Sequence, residues 1–339
     1  GDGTRFVTVS RDGIVLIRDL TDKNETPLRR FDLVDRVRWM KVSTNGRWVV
    51  TIGDRPRLWD LSTEKAEESA MSLRQHGIRM GRPFFTKDNR LMAIPGGHTV
   101  CLYDLKTDDP ASSCTIIRDP QSIVGKVAIT EDHEWLIVGG PRYVRLWNLH
   151  SVIRDPLPTI VDEEGSSKLW SADDGIGLKH VLRGQDWNTG PIVITPDNNR
   201  LLTGDWKGNL RLWNLKSDNP AANRVASAPD VQVVGVSPDG RWLIVGCRGN
   251  ESRLWKLDDN DRLTSSVKLH GAADGIGSFV ISSDSRWLVA TSAVPVFRDQ
   301  SDYARNEQVA HVWNLKGHDP GKKAFELSGH QGGVTALAI

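Results

Sequence analysis

The sequence has little of what marks several specialised classes of protein. It contains three cysteines, Cys101, Cys114 and Cys247, an odd number that lacks the close spacing of a metal site. We therefore expect buried free thiols and a reducing compartment. The 339 residues contain no run of 18 apolar residues and no signal peptide, so no membrane-spanning helix is predicted.

Neither sign of charge is in excess. The chain has 44 Lys and Arg against 43 Asp and Glu, which gives a formal net charge of +1. Because nucleic-acid binders show a basic excess or stripe, we expect no nucleic-acid partner. Catalytic patterns such as Gly-x-Ser-x-Gly and His-Glu-x-x-His are missing, and none of the nine histidines pairs at metal-ligand spacing. These absences predict no enzyme activity, no metal and no cofactor.

What the chain does have is a repeat. Residues 236–257 read VSPDGRWLIVGCRGNESRLWKL: a Ser-Pro-Asp-Gly turn, an apolar strand led by Trp242, a break, and a strand ending in Leu-Trp-Lys-Leu. The turn recurs at 43–46, 86–89, 130–133, 195–199 and 282–285. The strand ending recurs at 58–61, 102–105, 146–149, 212–215 and 312–315, with a degraded copy at 17–20.

The repeat period is in the mid-forties. Four of the six intervals between successive endings lie between 41 and 44 residues. Four short strands in such a period, ending in Trp-Asp or a near relative, are typical of a propeller blade. Along its whole length the chain resembles the WD40-repeat family, in particular bacterial-type arrays that accompany kinase, ATPase or anchoring segments. This resemblance implies an all-β, seven-bladed β-propeller of four-stranded antiparallel blades.

We expect residues 1–339 to form one propeller. The chain begins in mid-blade and ends in an inner strand at 333–339, so the N- and C-terminal strands are expected to share one blade and close the ring. We expect the sequence to be a segment of a longer chain. A membrane anchor in the flanking segments is compatible with this expectation. The two long intervals, of 66 and 58 residues, place loop insertions at 150–177 and 293–308. Leu169 and Trp170 are expected to anchor the first insertion onto the propeller or onto a partner.

Several recurring residues are predicted to be structural. The tryptophans that begin second strands are expected to pack between blades, where a large aromatic buries about 150–250 Å². The family often has a buried Asp-His-Ser/Thr-Trp hydrogen-bond network, to which only His330 and Asp12 give good matches here. We therefore expect packing to stabilise the blades more than buried polar bonds do. The predicted structural residues are Trp48, Trp59, Trp135, Trp147, Trp213, Trp242, Trp255, Trp287, Trp313, Asp12 and His330.

The remaining signal concerns the surface. In the family, the residue before the turn aspartate lies on the rim of the top face, and here that residue is Arg or Trp in three blades. Arg and Trp are enriched at binding hot spots. Other candidates lie on a top connection, on inner strands and in the second insertion. The predicted partner-binding residues are Arg11, Arg38, Lys126, Trp187, Trp206, Arg248, Phe297 and Tyr303.

These residues predict a non-catalytic scaffold whose top face binds an acidic or aromatic-containing peptide of a protein partner. We expect a cytoplasmic monomer without direct membrane contact from this segment. A first alternative is a small-ligand sensor at the channel mouth beneath the 293–308 loop, which a deep apolar pocket would favour. A second is an enzyme with a site in the channel, which clustered ionisable groups with perturbed pKa values would favour.

Overall fold

The fold consists almost entirely of short strands. It forms two compact units, 1–181 and 182–339. Within the described ranges, no helix is long and apolar enough to cross a membrane. The computed structural model describes residues 5–9, 14–19, 27–32, 37–63, 68–74, 80–119, 123–152, 169–171, 178–205, 209–217, 222–227, 231–247, 252–257, 263–270, 275–292, 310–322 and 324–328.

The first unit begins with two antiparallel sheets whose strands are adjacent in sequence. The first sheet has three strands and the second has four, each in chain order. The strands are β1 (Arg5–Val9), β2 (Ile14–Asp19) and β3 (Pro27–Asp32), then β4 (Val37–Val42), β5 (Trp48–Gly53), β6 (Arg57–Asp60) and β7 (Met71–Ser72).

The next sheet gains a strand from the first predicted insertion. Its antiparallel part is β8 (Phe84–Phe85), β9 (Leu91–Gly96), β10 (Thr99–Asp104) and β11 (Thr115–Arg118), with a 3-10 turn at Pro110–Ser113. The fifth strand, β14 (Leu169–Ser171), runs parallel to β11 with Leu169 opposite Ile116 and Trp170 opposite Ile117. The insertion is thus anchored on an edge of the protein's own sheet, one of the two outcomes expected for Leu169 and Trp170.

The strand β12 (Lys126–Ile129) pairs antiparallel with β13 (Trp135–Asn148), which a short helical turn, α1 (Leu149–Val152), follows. A straight strand of this length would span about 45 Å. The Leu149 amide nevertheless donates to the Glu134 carbonyl over 2.9 Å. β13 therefore folds back on itself and supplies both the second and the third strand of the repeat.

The strand β15 (Leu178–Ile194) runs through the boundary between the units. Its pairing with the next strand starts only at Thr189, opposite Asp205. Trp187 lies in β15 just before this pairing begins, and its predicted place on a top connection stays a prediction.

The second unit repeats the pattern in three antiparallel sheets in chain order. The end of β15 is followed by β16 (Arg200–Asp205), β17 (Asn209–Asn214) and β18 (Ala222–Ser227). The next sheet has β19 (Val231–Val236), β20 (Trp242–Cys247), β21 (Arg253–Leu257) and β22 (Leu263–Lys268). The last has β23 (Ile276–Ile281), β24 (Trp287–Ser292), β25 (Ala310–Asn314) and β26 (Phe325–Leu327).

The predicted all-β fold of antiparallel propeller blades is confirmed. Residues 1–4, 293–309 and 329–339 lie outside the described ranges, so the join between the chain ends and the second insertion do too. The count of seven blades, the shared terminal blade and the single-propeller organisation stay predictions.

The repeated turn has one geometry in all six copies. Its fourth residue donates its amide to the carbonyl of the first, as from Gly240 to Ser237 over 2.8 Å. That fourth residue lies in the left-handed region in every copy, with φ between 56° and 72°, which explains the glycines at two of them. In five copies an aspartate at the third position accepts from the backbone amide two residues later, as Asp239 does from Arg241 over 3.1 Å.

The strand endings close each repeat in the same way. At the six endings that the structure describes in full, the last leucine donates its amide to the carbonyl before the second strand, as from Leu257 to Arg241 over 2.9 Å. Hydrophobic clusters then join neighbouring sheets: Trp48 lies in one with Met92 and Tyr103, and Trp242 packs against another that contains Trp313. Six of the nine predicted structural tryptophans are buried, and the half-buried ones are Trp242, Trp255 and Trp287.

The buried polar bonds differ from the family's network. Trp59 and Trp213 donate their indole N–H groups to Thr51 and Thr203 over 3.2 and 2.9 Å. Asp119, at the position of the family's Gly-His, is buried and accepts from the Tyr143 hydroxyl over 2.8 Å and from the Arg145 guanidinium. Asp12 and His330 lie outside the described ranges, so their pairing stays a prediction.

Candidate ligand-binding surface on the first strands

Equivalent positions on three first strands carry cationic and aromatic side chains. The repeat places Trp39, Arg82 and Lys126 each four residues before the Ser or Thr that starts the turn. Lys41 and Phe84 follow two residues after Trp39 and Arg82. Because alternate residues of a strand share a face, Trp39 and Lys41 lie on one side of β4, whereas Arg82 precedes β8 by two residues. We call these five residues the cationic row.

The row is held together by contacts between cations and rings. The Arg82 guanidinium carbon lies 4.4 Å from the centroid of the Trp39 ring. The Lys41 Nζ lies 5.2 Å from the centroid of the Phe84 ring. The two rings are half-buried and the cations are exposed. A cation over an aromatic face at such distances is attracted by the ring quadrupole, so the rings fix where the charges stand.

Among the described residues, no carboxylate neutralises the charges of the row. In the part of the chain that the structure describes, Lys41, Arg82 and Lys126 form no ion pair. Burial of its stem lowers the pKa of Lys126, and the nearby positive charge of Arg82 lowers that pKa further. Burial alone lowers the pKa of Lys41. Such shifts mark cations that lack a counter-ion, and a bound anion would relieve them.

Of the predicted partner-binding residues, Lys126 belongs to the cationic row. Arg38 is exposed on β4 at the register shift between Val37 and Trp39, and makes none of the ring contacts of the row. Trp187 is placed only by its backbone in β15. The other predicted residues, Arg11, Trp206, Arg248, Phe297 and Tyr303, lie outside the described ranges and stay predictions.

Sequence reasoning missed four members of the row. The sequence does show a pattern here when the turns are aligned. Four residues before the turn stand a ring, Trp39, in one blade and a cation, Arg82, in the next, and two residues before it stand a cation, Lys41, and a ring, Phe84. Only the structure shows that the matched positions are in contact.

One described cleft has a different character. It has a volume of about 740 Å³, and its lining includes Arg47, Asp60 and Asp88. Two of its carboxylates are already engaged: Asp60 binds the Arg47 guanidinium at 2.8 Å and Asp88 accepts from the Thr86 hydroxyl over 2.6 Å. Nor do the described residues bring together three or more His, Cys, Asp or Glu side chains able to hold a metal ion. The chemistry of this cleft is that of structural turns.

Comparisons with known proteins agree with the blades. The family model described as "WD domain, G-beta repeat" matches residues 181–214. The WDS homolog of Arabidopsis thaliana, a WD repeat-containing protein, is 26% identical over 170 residues, which cover 48% of this chain and 28% of that protein. The target of rapamycin complex subunit LST8 of Mus musculus is 30% identical over 94 residues, covering 26% of this chain and 28% of the subunit.

A third relative is the ribosome biogenesis protein ytm1 of Aspergillus niger. It is 25% identical over 133 residues, which cover 36% of this chain and 27% of that protein. The chain thus spans less than a third of the length of each of these relatives. The recurring turn, the recurring strand ending, the antiparallel blades and these matches agree: the chain carries a WD40 repeat at 181–214 and is similar to WD40-repeat proteins.

Proposed function

We propose that this chain is a non-catalytic interaction scaffold that binds an acidic, aromatic-containing segment of a protein partner on the cationic row. The observation that carries the proposal is the stack of Arg82 on Trp39 beside Lys126, with no counter-ion for either cation among the described residues. The names of the relatives support a role in assemblies, since they describe a complex subunit and a biogenesis protein.

The chemistry of the row fits such a segment. Carboxylates of the partner would pair with Arg82 and Lys126 in charge-assisted hydrogen bonds, which are stronger than neutral ones. Aromatic side chains of the partner would pack on the exposed edges of the Trp39 and Phe84 rings. The rings hold the cations before binding, so less side-chain entropy is lost on association. We further propose that the chain acts as a cytoplasmic monomer.

Binding is measured by fluorescence anisotropy with a fluorescein-labelled peptide of alternating Glu and Tyr residues. The parent chain should bind it, and binding should weaken as NaCl rises, because added salt screens exposed charges beyond about 10 Å at 0.1 M. Arg82→Gln with Lys126→Gln should weaken binding at least about tenfold, which corresponds to about 1.4 kcal/mol.

A matched control uses the same chemistry elsewhere in the chain. The Arg286 guanidinium carbon lies 5.1 Å from the centroid of the Trp287 ring, but Arg286 precedes a second strand instead of lying on a first strand. Arg286→Gln should leave the affinity unchanged. Equal affinity of the parent, the double variant and the control would show that any binding is non-specific and would refute the proposal.

The small-ligand sensor remains the second candidate, but its pocket beneath residues 293–308 lies outside the described ranges. No described feature favours it or the enzyme over the scaffold. The two described clefts are polar and bounded by turn and loop residues, and the perturbed lysines of the row face no described acid partner.

A further inference from the structure

Two of the three cysteines are brought together in the first unit, in the hydrophobic cluster against which Trp39 packs. Cys101 lies in β10 and Cys114 directly precedes β11, and these strands pair with Cys101 opposite Ile116 and Leu102 opposite Thr115. Continuing this register sets Tyr103 opposite Cys114. Cys101 and Cys114 are therefore diagonal neighbours on one face of the sheet.

The sulfur atoms are in direct contact. The two Sγ atoms lie 2.7 Å apart, and both cysteines are free thiols. Because a disulfide bond is about 2.05 Å long, bond formation needs the sulfurs to approach by less than about 1 Å.

The surroundings make the two thiols unequal. Cys101 is fully buried in the cluster that contains Trp48, whereas Cys114 lies at the edge of that cluster, just after the 3-10 turn at Pro110–Ser113. Ala111 and Ser112 of this turn line an open cleft of about 520 Å³ together with Arg74. Cys114 follows this turn directly, whereas Cys101 lies within β10.

The pKa shifts of the two thiols also distinguish Cys114 from Cys101. The hydrogen bond from the Cys101 thiol lowers the pKa of Cys114, helped by the Tyr103 hydroxyl and by the positive charge of Arg74, while burial opposes the shift. Burial raises the pKa of Cys101. Cys114 therefore ionises first, and the thiolate is the reactive form of a cysteine.

We infer that Cys101 and Cys114 form a site of reversible oxidation, which a hydroperoxide converts into an intramolecular disulfide. The Cys114 thiolate attacks one peroxide oxygen, the O–O bond breaks, and the oxygen that leaves takes up a proton to give water or an alcohol. Cys114 is then a sulfenic acid. The Cys101 sulfur attacks the Cys114 sulfur, its proton goes to the departing hydroxide, and a second water forms.

The reaction conserves electrons and protons. Two thiols give up two electrons and two protons, and one hydroperoxide accepts them. Exchange with a small thiol such as glutathione reverses the reaction through a mixed disulfide. The site therefore fits a reducing compartment, where oxidation is transient, and it needs no cofactor.

Hydrogen peroxide, followed by thiol alkylation and peptide mapping, tests the inference on the folded parent chain. Trypsin cuts after Lys106, between the two cysteines, and so separates peptide 91–106 from peptide 107–118. Oxidation should link these two peptides with the loss of two hydrogens, about 2 Da, and dithiothreitol should release them. If the peptides stay separate while the half-buried methionines Met40 and Met71 become oxidised, the inference is overturned.

Cys247 provides the internal control, because it is buried in β20 of the second unit and lies on a third tryptic peptide, 242–248. It should stay reduced throughout, and Cys247→Ser should not change the linkage. Oxidation of Cys247 at the same rate as the pair would show that general unfolding exposes all thiols, which also overturns the inference.

The order of attack is tested with single variants of the pair. In Cys101→Ser, the Cys114 sulfenic acid has no partner thiol and should be trapped by dimedone, whereas Cys114→Ser should give little adduct on Cys101. Equal dimedone labelling of the two variants would contradict the assigned order. The linkage test on the parent chain needs neither variant and stands if one fails to fold.

Discussion

The first strands of the two units share a register but differ in chemistry. In the first unit, the position four residues before the turn holds Trp39, Arg82 and Lys126, and these side chains form a charged, partly exposed row. In the second unit the same position holds Pro191 and Ser278 in two of the strands. One framework thus presents a charged surface in one unit and small or apolar residues in the other.

Close packing accounts for the second unit. Gly235 is equivalent to Lys41 and Phe84, and a Cβ placed on it would lie 2.4 Å from the Cζ atom of the Phe279 ring. The Phe279 ring of β23 thus fills the space beside β19 that a side chain at position 235 would occupy. By contrast, the turns have one geometry in both units. The difference in side-chain chemistry between the units therefore lies in their first strands. These strands are free to vary because the turns and the strand endings stabilise the blade.

The largest effect is expected from closing the space at Gly235. Gly235→Val should lower the free energy of unfolding by about 1–3 kcal/mol, because its side chain displaces the Phe279 ring. The readout is urea denaturation. Gly125→Val is the control, since a Cβ at Gly125 meets only the Gly139 carbonyl oxygen at 3.5 Å. Adding Phe279→Leu to Gly235→Val should restore part of the loss, and equal losses at the two glycines would contradict the packing difference.

A smaller effect is expected from the rings under the two arginines. Trp39→Leu and Trp287→Leu each remove a ring from beneath a guanidinium, at 4.4 and 5.1 Å respectively. Because an exposed cation–π contact contributes about 0.5–1 kcal/mol, both should lower stability by comparable amounts. Only Trp39→Leu should also weaken binding of the Glu-Tyr peptide. A loss of binding in both variants would remove the distinction between the units.

The turns should respond to acid in the same way in both units. Hydrogen bonds from Thr86 and Thr195, with those from nearby backbone amides, lower the pKa values of Asp88 and Asp197 against an opposing effect of burial. A carboxyl whose pKa is depressed on folding stabilises the protein above its unfolded value, about 4, and this contribution is lost as pH falls through the lower folded value.

Asp88→Asn and Asp197→Asn should each flatten the decline in urea midpoint below about pH 4, and to a similar extent. The turn at 43–46 already has an asparagine in place of the aspartate. Asn45 accepts from the Ser43 hydroxyl over 2.7 Å and from the Arg47 amide over 3.1 Å. An acid limb that changes in only one of the two variants would show that the turns are not equivalent.

The smallest effect concerns the charge of Lys126. Arg82→Gln should raise the pKa of Lys126 by removing a neighbouring positive charge, but should not restore its ordinary value, because burial is the larger cause of the shift. The NMR chemical shift of the dimethylated Lys126 amine, followed through pH, measures this. Arg286→Gln should leave it unchanged. An unchanged pKa in Arg82→Gln would contradict the proximity of the two cations.

Much of the fold was predictable because the repeat is local. The turn needs a hydroxyl, a short polar side chain and a residue that tolerates positive φ, all within four positions, and each copy in the sequence shows them. The same regularity does not show where β15 begins to pair with β16, which the structure places at Thr189.

The candidate site was predicted in small part. Lys126 was found because it begins an inner strand, but its neighbours were not, since Trp39 and Arg82 are 43 residues apart in sequence. The contact of Cys101 with Cys114 was missed for a similar reason. Their spacing matches no metal or disulfide motif, and only the register of β10 and β11 makes them neighbours.

The sequence by itself determined the repeat, the turn chemistry, the strand endings and the resemblance to WD40-repeat proteins, because each depends on residues close together in the chain. The tertiary structure decided which positions of neighbouring blades meet: Arg82 on Trp39, Phe279 over Gly235, and the added strand β14 beside β11. These contacts depend on how one sheet packs or pairs with another. That geometry is a property of the folded chain, and no single stretch of the sequence contains it.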